Sequence, residues 1–253
     1  MMSTSPHYAA PRTGTAATTT ALVKEYGAGD AAVRALDGID LTIEDGRFTA
    51  IMGPSGSGKS TLMHCLAGLD QPSAGEVNVA GVELADLSDN ALTDFRRERV
   101  GFVFQAFNLL PMLTARQNIL LPLDLAGREP DWAWFDEVIA VLGLSDRLDH
   151  RPTQMSGGQQ QRVAVARAVL GRPAVIFADE PTGNLDRRTS VEVLAFLRRS
   201  VRELRQTVVM VTHDPVAAAH SDRVVLIADG RVAGVIEEPD QDAILVALRD
   251  LGE

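Results

Sequence analysis

A glycine-rich segment between two apolar stretches carries the residue types best suited to chemistry. Residues 53–61 fit the pattern G-x-x-x-x-G-K-S, where Phe48–Met52 predicts a buried strand before them and Lys59 opens a helix that Gly68 can end. Glycines let backbone N–H groups close around an anion, and a helix N-terminus adds a positive dipole end. The segment therefore predicts a nucleoside triphosphate site. Its residues are Gly53, Pro54, Ser55, Gly56, Ser57, Gly58, Lys59, Ser60 and Thr61.

Two carboxylates after a later apolar run supply the chemistry that a triphosphate would need. Ala174–Ala178 is continuously apolar, which is typical of a parallel strand buried on both faces, and Asp179 and Glu180 follow it. We expect Lys59 to contact the β- and γ-phosphates and Ser60 to bind Mg²⁺, with Asp179 holding the same ion, usually through water. Glu180 would orient and deprotonate the attacking water. An acidic cap before a proline turn is the structural alternative, and the nearby phosphate loop favours catalysis.

Three further side chains stand at the ends of predicted strands, where ligands of open α/β sheets bind. Gln105 follows the run Val100–Phe104, and His213 follows the run at residues 207–212. Tyr26, at the end of an earlier strand, offers a flat ring for stacking on adenine. A lone aromatic is more often simply packed and a lone glutamine usually has no such role, while a histidine at a strand end is often an ordinary hydrogen-bonded residue. Residue type and spacing alone therefore leave the roles of these three open.

A second glycine pair, in Ser156-Gly157-Gly158-Gln159, opens another predicted helix. Ser156 is a favourable N-cap, and the glycines give access to the unpaired N–H groups of the helix N-terminus. Asp186 stands near the start of the next predicted helix. The chain thus offers two potential anion-binding helix ends, although one triphosphate does not need both from one subunit.

Strand and helix patterns alternate around these residues, which predicts an α/β fold. Thr19–Tyr26 and Val33–Ile43 read as antiparallel strands before the glycine-rich segment, and we expect Glu44-Asp45-Gly46 to form a hairpin-type turn. A hairpin around Asp229-Gly230 and a helix over Asp240–Leu251 close the chain.

Composition narrows the class of protein. The formal charge of −10 and the pI near 5.0 argue against a protein that coats nucleic acid. The single cysteine, Cys65, excludes an intrachain disulfide and a Cys-rich zinc site. No apolar run reaches the roughly 18 residues of a spanning helix, and the Thr/Ala/Pro-rich start lacks a secretory signal's apolar core. We expect a cytoplasmic protein with a disordered tail over residues 1–18 and one domain over residues 19–253.

The segment from Ala106 to Leu125 is rich in large apolar side chains and contains two prolines. Composition does not decide whether these side chains form a docking surface or part of the core. The residues concerned are Phe107, Leu109, Leu110, Met112 and Leu113.

Taken in chain order, the motifs resemble the nucleotide-binding subunit of an ABC transporter over about residues 19–235. The matching residues are Tyr26, GPSGSGKST at 53–61, Gln105, MSGGQ at 155–159, IFADE at 176–180, NLD at 184–186 and His213. A phosphate loop alone would fit any P-loop ATPase, whereas SGGQ a short helix before an Asp-Glu strand is close to diagnostic; only Met155 departs, where leucine is commoner. The resemblance implies a RecA-like P-loop NTPase core sheet, an antiparallel β subdomain and an inserted α-helical subdomain over about residues 106–165.

The resemblance also implies roles that spacing leaves open. Tyr26 would stack on adenine, Gln105 would contact Mg²⁺ and the attacking water, and His213 would contact the γ-phosphate. Ser156 to Gln159 would bind the ATP of a second subunit in a head-to-tail dimer, with Asp186 among the nucleotide-binding residues. The surface near residues 105–125 would dock a membrane permease, which places the protein peripherally on the inner face of the cell membrane.

Residues 102–123 and 178–186 look most like the branch that serves lipoprotein release, macrolide export and cell division. That branch typically pairs with four-helix permeases and acts by mechanotransmission. A soluble ABC ATPase, such as an iron–sulfur assembly component of similar size, is the alternative. Few residues follow the closing hairpin, so we expect no regulatory C-terminal domain of the sugar-importer kind.

Overall fold

The computed structural model describes residues 14–27 and 29–252. Its strands, in chain order, are β1 (Thr15–Tyr26), β2 (Val33–Glu44), β3 (Phe48–Met52), β4 (Ala74–Val79), β5 (Val82–Glu83), β6 (Val100–Phe104), β7 (Val175–Asp179), β8 (Val208–Val211), β9 (Arg223–Ala228) and β10 (Arg231–Glu237). Its helices are α1 (Lys59–Leu66), α2 (Asp89–Arg99), α3 (Ala115–Leu125), α4 (Trp132–Leu142), α5 (Gly157–Leu170), α6 (Arg187–Arg202), α7 (Pro215–Ala218) and α8 (Gln241–Asp250).

A six-stranded sheet in the order β10-β9-β3-β8-β7-β6 forms the centre of the fold. The strands from β9 to β6 run parallel, and β10 lies antiparallel on β9. Apart from Thr49 in β3 and the terminal Asp179 of β7, the strands β3, β6 and β7 consist of apolar residues and glycine, because helices or the second sheet cover their faces. This is the predicted α/β core, with β3 in an interior position.

Two hydrophobic clusters cover the two faces of this sheet, since side chains alternate along each strand. Phe48, Ala50 and Met52 point into the cluster formed with α3 to α8. Ile51 points into the other cluster, which includes α1, α2 and the antiparallel sheet. That second sheet has the order β2-β1-β4-β5. The fold class predicted from sequence, an α/β core with an antiparallel β subdomain and a helical region, is confirmed.

The first strand begins earlier than predicted. β1 starts at Thr15 rather than Thr19, because Thr15 pairs with Glu44 of β2 and Ala17 with Val79 of β4. Residues 15–18 of the predicted tail therefore belong to a strand, and residues 1–13 of that tail lie outside the described residues. The single domain over 19–253 and the helical subdomain over 106–165 stay predictions.

The turn at Asp45-Gly46 connects the two sheets, and the predicted hairpin-type turn at residues 44–46 is wrong. β2 pairs with β1, whereas β3 pairs with β8 and β9. The hydroxyl of Thr207 donates to Asp45 Oδ1 (2.9 Å) and accepts from the Gly46 N–H (2.9 Å). A contact about 160 residues away in the chain thus fixes a turn that local sequence describes equally well as a hairpin.

The helical region over α3, α4 and α5 packs against the sheet through α5, whose apolar residues lie in the larger core cluster. Over residues 14–27 and 29–252, none of the helices combines the length and apolar character that crossing a bilayer requires.

Candidate nucleotide-binding site

The phosphate loop leaves the carboxyl end of β3 with backbone angles that only glycine adopts easily. Gly53, Gly56 and Gly58 have φ of 142°, 79° and 102°. A Cβ on Gly53 would lie 1.9 Å from the carbonyl oxygen of Ile227, and one on Gly58 would lie 2.4 Å from that of Ala35. Backbone from two other segments therefore encloses the loop, which keeps it as an open cradle of main-chain groups suited to an anion.

The start of α1 directs polar groups to the same place. Gly58 is the N-cap and provides no side-chain cap, so the first N–H groups of the helix keep their capacity to bind an anion. The Lys59 ammonium lies over the loop and donates to the carbonyls of Gly53 (2.7 Å) and Pro54 (2.6 Å). Ser60, in the first turn, is exposed. Phosphate oxygens fit this arrangement of donors.

The parallel register brings the predicted residues of four strands to one edge of the sheet. Ile51 pairs with Val211, Val211 with Asp179, and Asp179 with Phe104. The residues that follow these positions therefore lie in a row beside the phosphate loop. They are Gln105 after β6, Glu180 after β7, and Thr212 and His213 after β8.

Glu180 and His213 form a hydrogen-bonded pair within this row. Glu180 Oε1 lies 2.8 Å from His213 Nδ1 and accepts the His213 backbone N–H (3.0 Å), while the Thr212 hydroxyl donates to Oε2 (3.3 Å). The hydrogen bond to Glu180 and the negative charge of Glu180 raise the pKa of His213. Glu180 also adopts a left-handed φ of 45°, an uncommon angle for a residue with a Cβ. Both carboxylate oxygens are thus held in place by their neighbours.

Asp179 and Ser60 are two oxygen ligands that the sequence predicts for Mg²⁺. Burial raises the pKa of Asp179, and the neighbouring His64 opposes that shift. Among the described residues, no group of three or more His, Cys, Asp or Glu side chains forms a metal site. Two oxygen donors match the way Mg²⁺ binds, with few protein ligands and the remainder from phosphates and water. The residues present therefore fit an ion carried in with a nucleotide.

Gln105 faces the loop that follows Glu180. Its side-chain amide donates to Asn184 Oδ1 (3.0 Å), and Asn184 Nδ2 donates to the Gln105 carbonyl (3.3 Å). Gly183 makes room for this contact, since a Cβ there would lie 2.7 Å from Gln105 Nε2. Gln105 thus links β6 to the loop after β7, and its contact with Mg²⁺ stays a prediction.

Asp186 serves as the N-cap of α6 in this structure. Its carboxylate accepts from the backbone N–H groups of Arg188 (3.0 Å) and Thr189 (3.1 Å) and from the Thr189 hydroxyl (2.6 Å). The hydrogen bonds from Thr189 are the main reason that the pKa of Asp186 is lowered. The cap explains this residue, and its predicted place among the nucleotide-binding residues is not tested by it.

The residues of the SGGQ motif, Ser156 to Gln159, form the N-terminus of α5 and rest on the loop after Glu180. Ser156 caps the helix, and its own backbone N–H donates to Gln159 Oε1 (2.9 Å). A Cβ on Gly158 would lie 2.2 Å from Thr189 Cγ2, and one on Gly157 would lie 3.1 Å from Leu185 Cδ2. Gly158 therefore leaves room for Thr189, and Gly157 sits close to Leu185, a packing role within the chain that the motif alone does not reveal.

Gln161, which sequence reasoning missed, strengthens this contact. It is fully buried, and its amide donates to the Pro181 carbonyl (2.7 Å). Gln161 is the last of three consecutive glutamines, and its position next to the apolar run of α5 was the available signal. Residues 181–189, which form the loop after Glu180 and the first turn of α6, thus join Glu180 to α5.

Tyr26 lies at the end of β1 with 42% of its surface exposed. Its hydroxyl donates to Asp70 Oδ2 (2.6 Å), and the Lys24 ammonium lies 4.9 Å from the centre of its ring. Burial and the hydrogen bond to Asp70 raise the pKa of Tyr26, whereas a hydrogen bond with Thr61 lowers it. The contact with Thr61 places the ring at the first turn of α1. Lys24 and Asp70 are functional candidates that sequence reasoning missed.

A groove of about 330 Å³ opens beside β6, the edge strand of the sheet. Phe102 and Phe104 stack there with ring centres 5.4 Å apart. Other residues that line the groove include Arg97, Asn108, Pro122 and Arg167. Of the five apolar residues with an open assignment, Leu110 and Met112 are exposed, and Phe107, Leu109 and Leu113 are half-buried.

The backbone next to this groove is strained and clamped. Phe107 and Asn108 have φ of 58° and 50°, and the Arg167 guanidinium of α5 donates to both of their carbonyls (3.0 and 2.6 Å). Burial lowers the pKa of Arg167, although this residue remains a cation at neutral pH. Through Arg167, α5 therefore also holds the segment that is predicted to dock a permease.

Comparisons with known proteins agree with this arrangement. The profile of the ABC transporter family matches residues 36–183. The chain is 49% identical to the lipoprotein-releasing system ATP-binding protein LolD of Anaeromyxobacter dehalogenans, over 83% of this chain and 89% of that protein. It is 48% identical to the macrolide export ATP-binding/permease protein MacB of Marinobacter nauticus, over 83% of this chain, and spans about a third of that protein (33%).

A solved structure shows the same fold in a dimer. The dimeric post-hydrolysis structure of the ATP-binding cassette MJ0796, bound to ADP and Pi, is 39% identical, with a TM-score of 0.76 over 88% of this chain and 99% of that one. The resemblance stated from sequence is thus confirmed. The chain belongs to the ABC transporter family, as an ATP-binding subunit with ABC-type ATPase activity coupled to transport.

Proposed function

We propose that this chain works as a head-to-tail homodimer that binds two ATP molecules with Mg²⁺ and drives a separate membrane permease for export or mechanotransmission. The observation that carries the proposal is the row of strand ends that places Glu180 and His213 beside the phosphate loop. The same edge arrangement suits hydrolysis, because the phosphate cradle and a fixed carboxylate share one site.

Each residue has a role that follows from its position. Residues 53–61 would bind the phosphates, with Lys59 neutralising the β- and γ-phosphate charge. Ser60 and Asp179 would hold Mg²⁺, which supplies charge neutralisation at the phosphates when bound. Glu180, anchored by hydrogen bonds at both oxygens, would orient the water and take its proton, and His213 would donate to the γ-phosphate.

The second glycine pair supports the dimer. Ser156 to Gln159 form the N-terminus of α5. This is a second potential anion-binding helix end, and a single ATP bound at the phosphate loop of the same subunit does not require it. In a head-to-tail dimer this N-terminus would close over the partner's ATP, as the dimeric form of the similar cassette MJ0796 favours. The loop at 181–189 would then transmit changes at Glu180 to the partner's site.

The permease would dock at the groove beside β6 and the exposed side chains near residues 105–125. The stacked rings of Phe102 and Phe104 offer an apolar floor, and the guanidinium groups of Arg97 and Arg167 lie at its walls. An amphipathic helix that lays its apolar face on these rings would complement this surface, whose lining carries Glu98 as well as the two arginines. The sequence similarity to LolD and MacB favours a membrane permease as the partner over a soluble scaffold.

Glu180→Gln tests the hydrolytic site. The variant should bind ATP normally while its turnover falls by about 10²–10⁴, the range for loss of a general base. It should also accumulate as an ATP-dependent dimer, measured by size exclusion with light scattering. Hydrolysis near the normal rate would show that another residue is the base.

Ser156→Arg tests sharing of the site between subunits. ATP binding should be kept, and dimerisation and hydrolysis lost, because the bulky cation blocks the helix N-terminus. Thr114→Arg is a matched control, since Thr114 caps α3 in a Thr/Gln capping box of the same kind. Surviving hydrolysis in Ser156→Arg would refute a shared site.

A crosslinker placed by Met112→Cys tests the permease. Cys65 is buried, so the new thiol is the reactive one, and Leu245→Cys on α8 is the control at a distant exposed site. Crosslinking of Met112→Cys in cells to an integral membrane protein supports the proposal. Crosslinking only to soluble proteins would favour the iron–sulfur assembly class instead.

A further inference from the structure

Three side chains form a closed set of contacts around the ring of Tyr26, which we name the Tyr26 clasp: Lys24, Tyr26 and Asp70. The Asp70 carboxylate accepts the Tyr26 hydroxyl at Oδ2 (2.6 Å) and the Lys24 ammonium at Oδ1 (2.5 Å). The same ammonium donates to the Gln71 carbonyl (2.7 Å) and lies 4.9 Å from the ring centre. Every member thus contacts both of the others.

The clasp joins the end of β1 to the turn that follows α1. Lys24 and Tyr26 lie two residues apart on β1, so their side chains share one face of the strand. Asp70 lies in the turn that ends α1, where the backbone N–H groups of Leu69 and Asp70 both donate to the His64 carbonyl (2.8 and 3.2 Å). The ring is therefore tied to the far end of the helix whose first turn holds Lys59.

The clasp is a direct ion pair between Lys24 and Asp70, and both members also contact the Tyr26 side chain. The hydrogen bond to Asp70 raises the pKa of Lys24. Burial opposes ionisation of Asp70, but the hydrogen bonds from Lys24 and Tyr26 outweigh it and lower the pKa of Asp70. With Lys24 over one face of the ring, stacking on a flat ligand is left to the opposite face.

We propose that Lys24 and Asp70 are positioning residues that fix the ring of Tyr26 for the base of the nucleotide. The inference rests on the proposed stacking role of Tyr26. The clasp governs how firmly the base is held, and the loop at residues 53–61 holds the phosphates independently. Removal of a clasp contact should therefore change affinity for ATP and leave affinity for a base-free polyphosphate unchanged.

Asp70→Asn and Tyr26→Phe test this division. Asp70→Asn removes the charge and Tyr26→Phe removes the hydroxyl, while each keeps the shape of the side chain. Each should raise the KM for ATP about three- to ten-fold, the size of one ordinary intramolecular hydrogen bond. The kcat should stay the same, and so should the affinity for inorganic tripolyphosphate measured by calorimetry. Lys24→Arg keeps the cation and should leave the KM for ATP near normal, whereas Lys24→Met removes the cation and should raise this KM.

Two controls make the outcomes distinct. Glu203→Gln breaks a more exposed ion pair with Arg199 of α6, away from the clasp in the chain, and should change neither ligand's affinity. Tyr26→Leu removes the ring; an unchanged KM for ATP would refute both the stacking role and the clasp. If Tyr26→Leu weakens ATP but Asp70→Asn does not, the clasp alone is refuted. Equal loss of ATP and tripolyphosphate in Asp70→Asn would also refute it, since the effect would be on the loop.

Discussion

Gly158→Ala is the substitution whose effect the structure defines most sharply. The new Cβ would lie 2.2 Å from Thr189 Cγ2, so the two groups must separate by about 1.5 Å to reach the roughly 3.5–4.0 Å of ordinary carbon contact. Such overpacking costs about 1–3 kcal/mol in free energy of unfolding. The next atoms, Thr189 Cβ and Oγ1, are 3.6 and 3.9 Å away and would tolerate the Cβ. One methyl group therefore carries the predicted cost.

Thr189→Ser removes that methyl group and keeps the hydroxyl that donates to Asp186. The double variant Gly158→Ala/Thr189→Ser should recover most of the lost unfolding free energy, measured by urea denaturation with unchanged m-values. ATPase activity should recover with it, because the Cβ points at Thr189 of its own chain. Gly171→Ala, with nothing within 4 Å, is the control and should change stability by less than about 0.5 kcal/mol.

The reasoning fails if the double variant is as destabilised as Gly158→Ala alone. In that case the cost would not come from Thr189. If stability returns but activity does not, the glycine is required for access of the partner's nucleotide rather than for packing within the chain.

Three other expectations can be checked directly. Lys59→Ala should abolish ATP binding, because the phosphates lose their cation; an unchanged Kd would contradict the loop assignment. His213 should titrate above its ordinary pKa of about 6.5 by NMR, and Glu180→Gln should return it toward that value. Because the folded-state pKa is the raised one, the associated stability is present at low pH and is lost as pH rises through that pKa. Burial raises the pKa of Cys65 to about 12, so this thiol should resist alkylation until the protein is unfolded in denaturant.

Local sequence patterns predicted the elements whose burial or capping can be inferred from a few neighbouring residues. The buried runs at β3 and β6 could be placed from sequence with their observed bounds, because an interior parallel strand needs apolar residues on both faces. The start of α5 was predicted from Ser156 and its glycines, since capping is decided within a few residues.

Features that depend on distant contacts were not predictable in this way. The prediction of a hairpin-type turn at Asp45-Gly46 was wrong, because Thr207, far away in the chain, fixes the turn. Asp70 and Lys24 carried no motif, and only the fold brings them to Tyr26. The strand ends of the site were recognisable one by one, while their common row follows from the strand register alone.

The left-handed backbone of Glu180 sets activity against folding stability at a single position. A residue with a Cβ in this region costs about 1–3 kcal/mol, and glycine would remove most of that strain. Glycine would also remove the proposed base. Selection for heat resistance alone would therefore favour an inactive protein at this position, and a stabilised variant should be accepted only after its turnover has been measured.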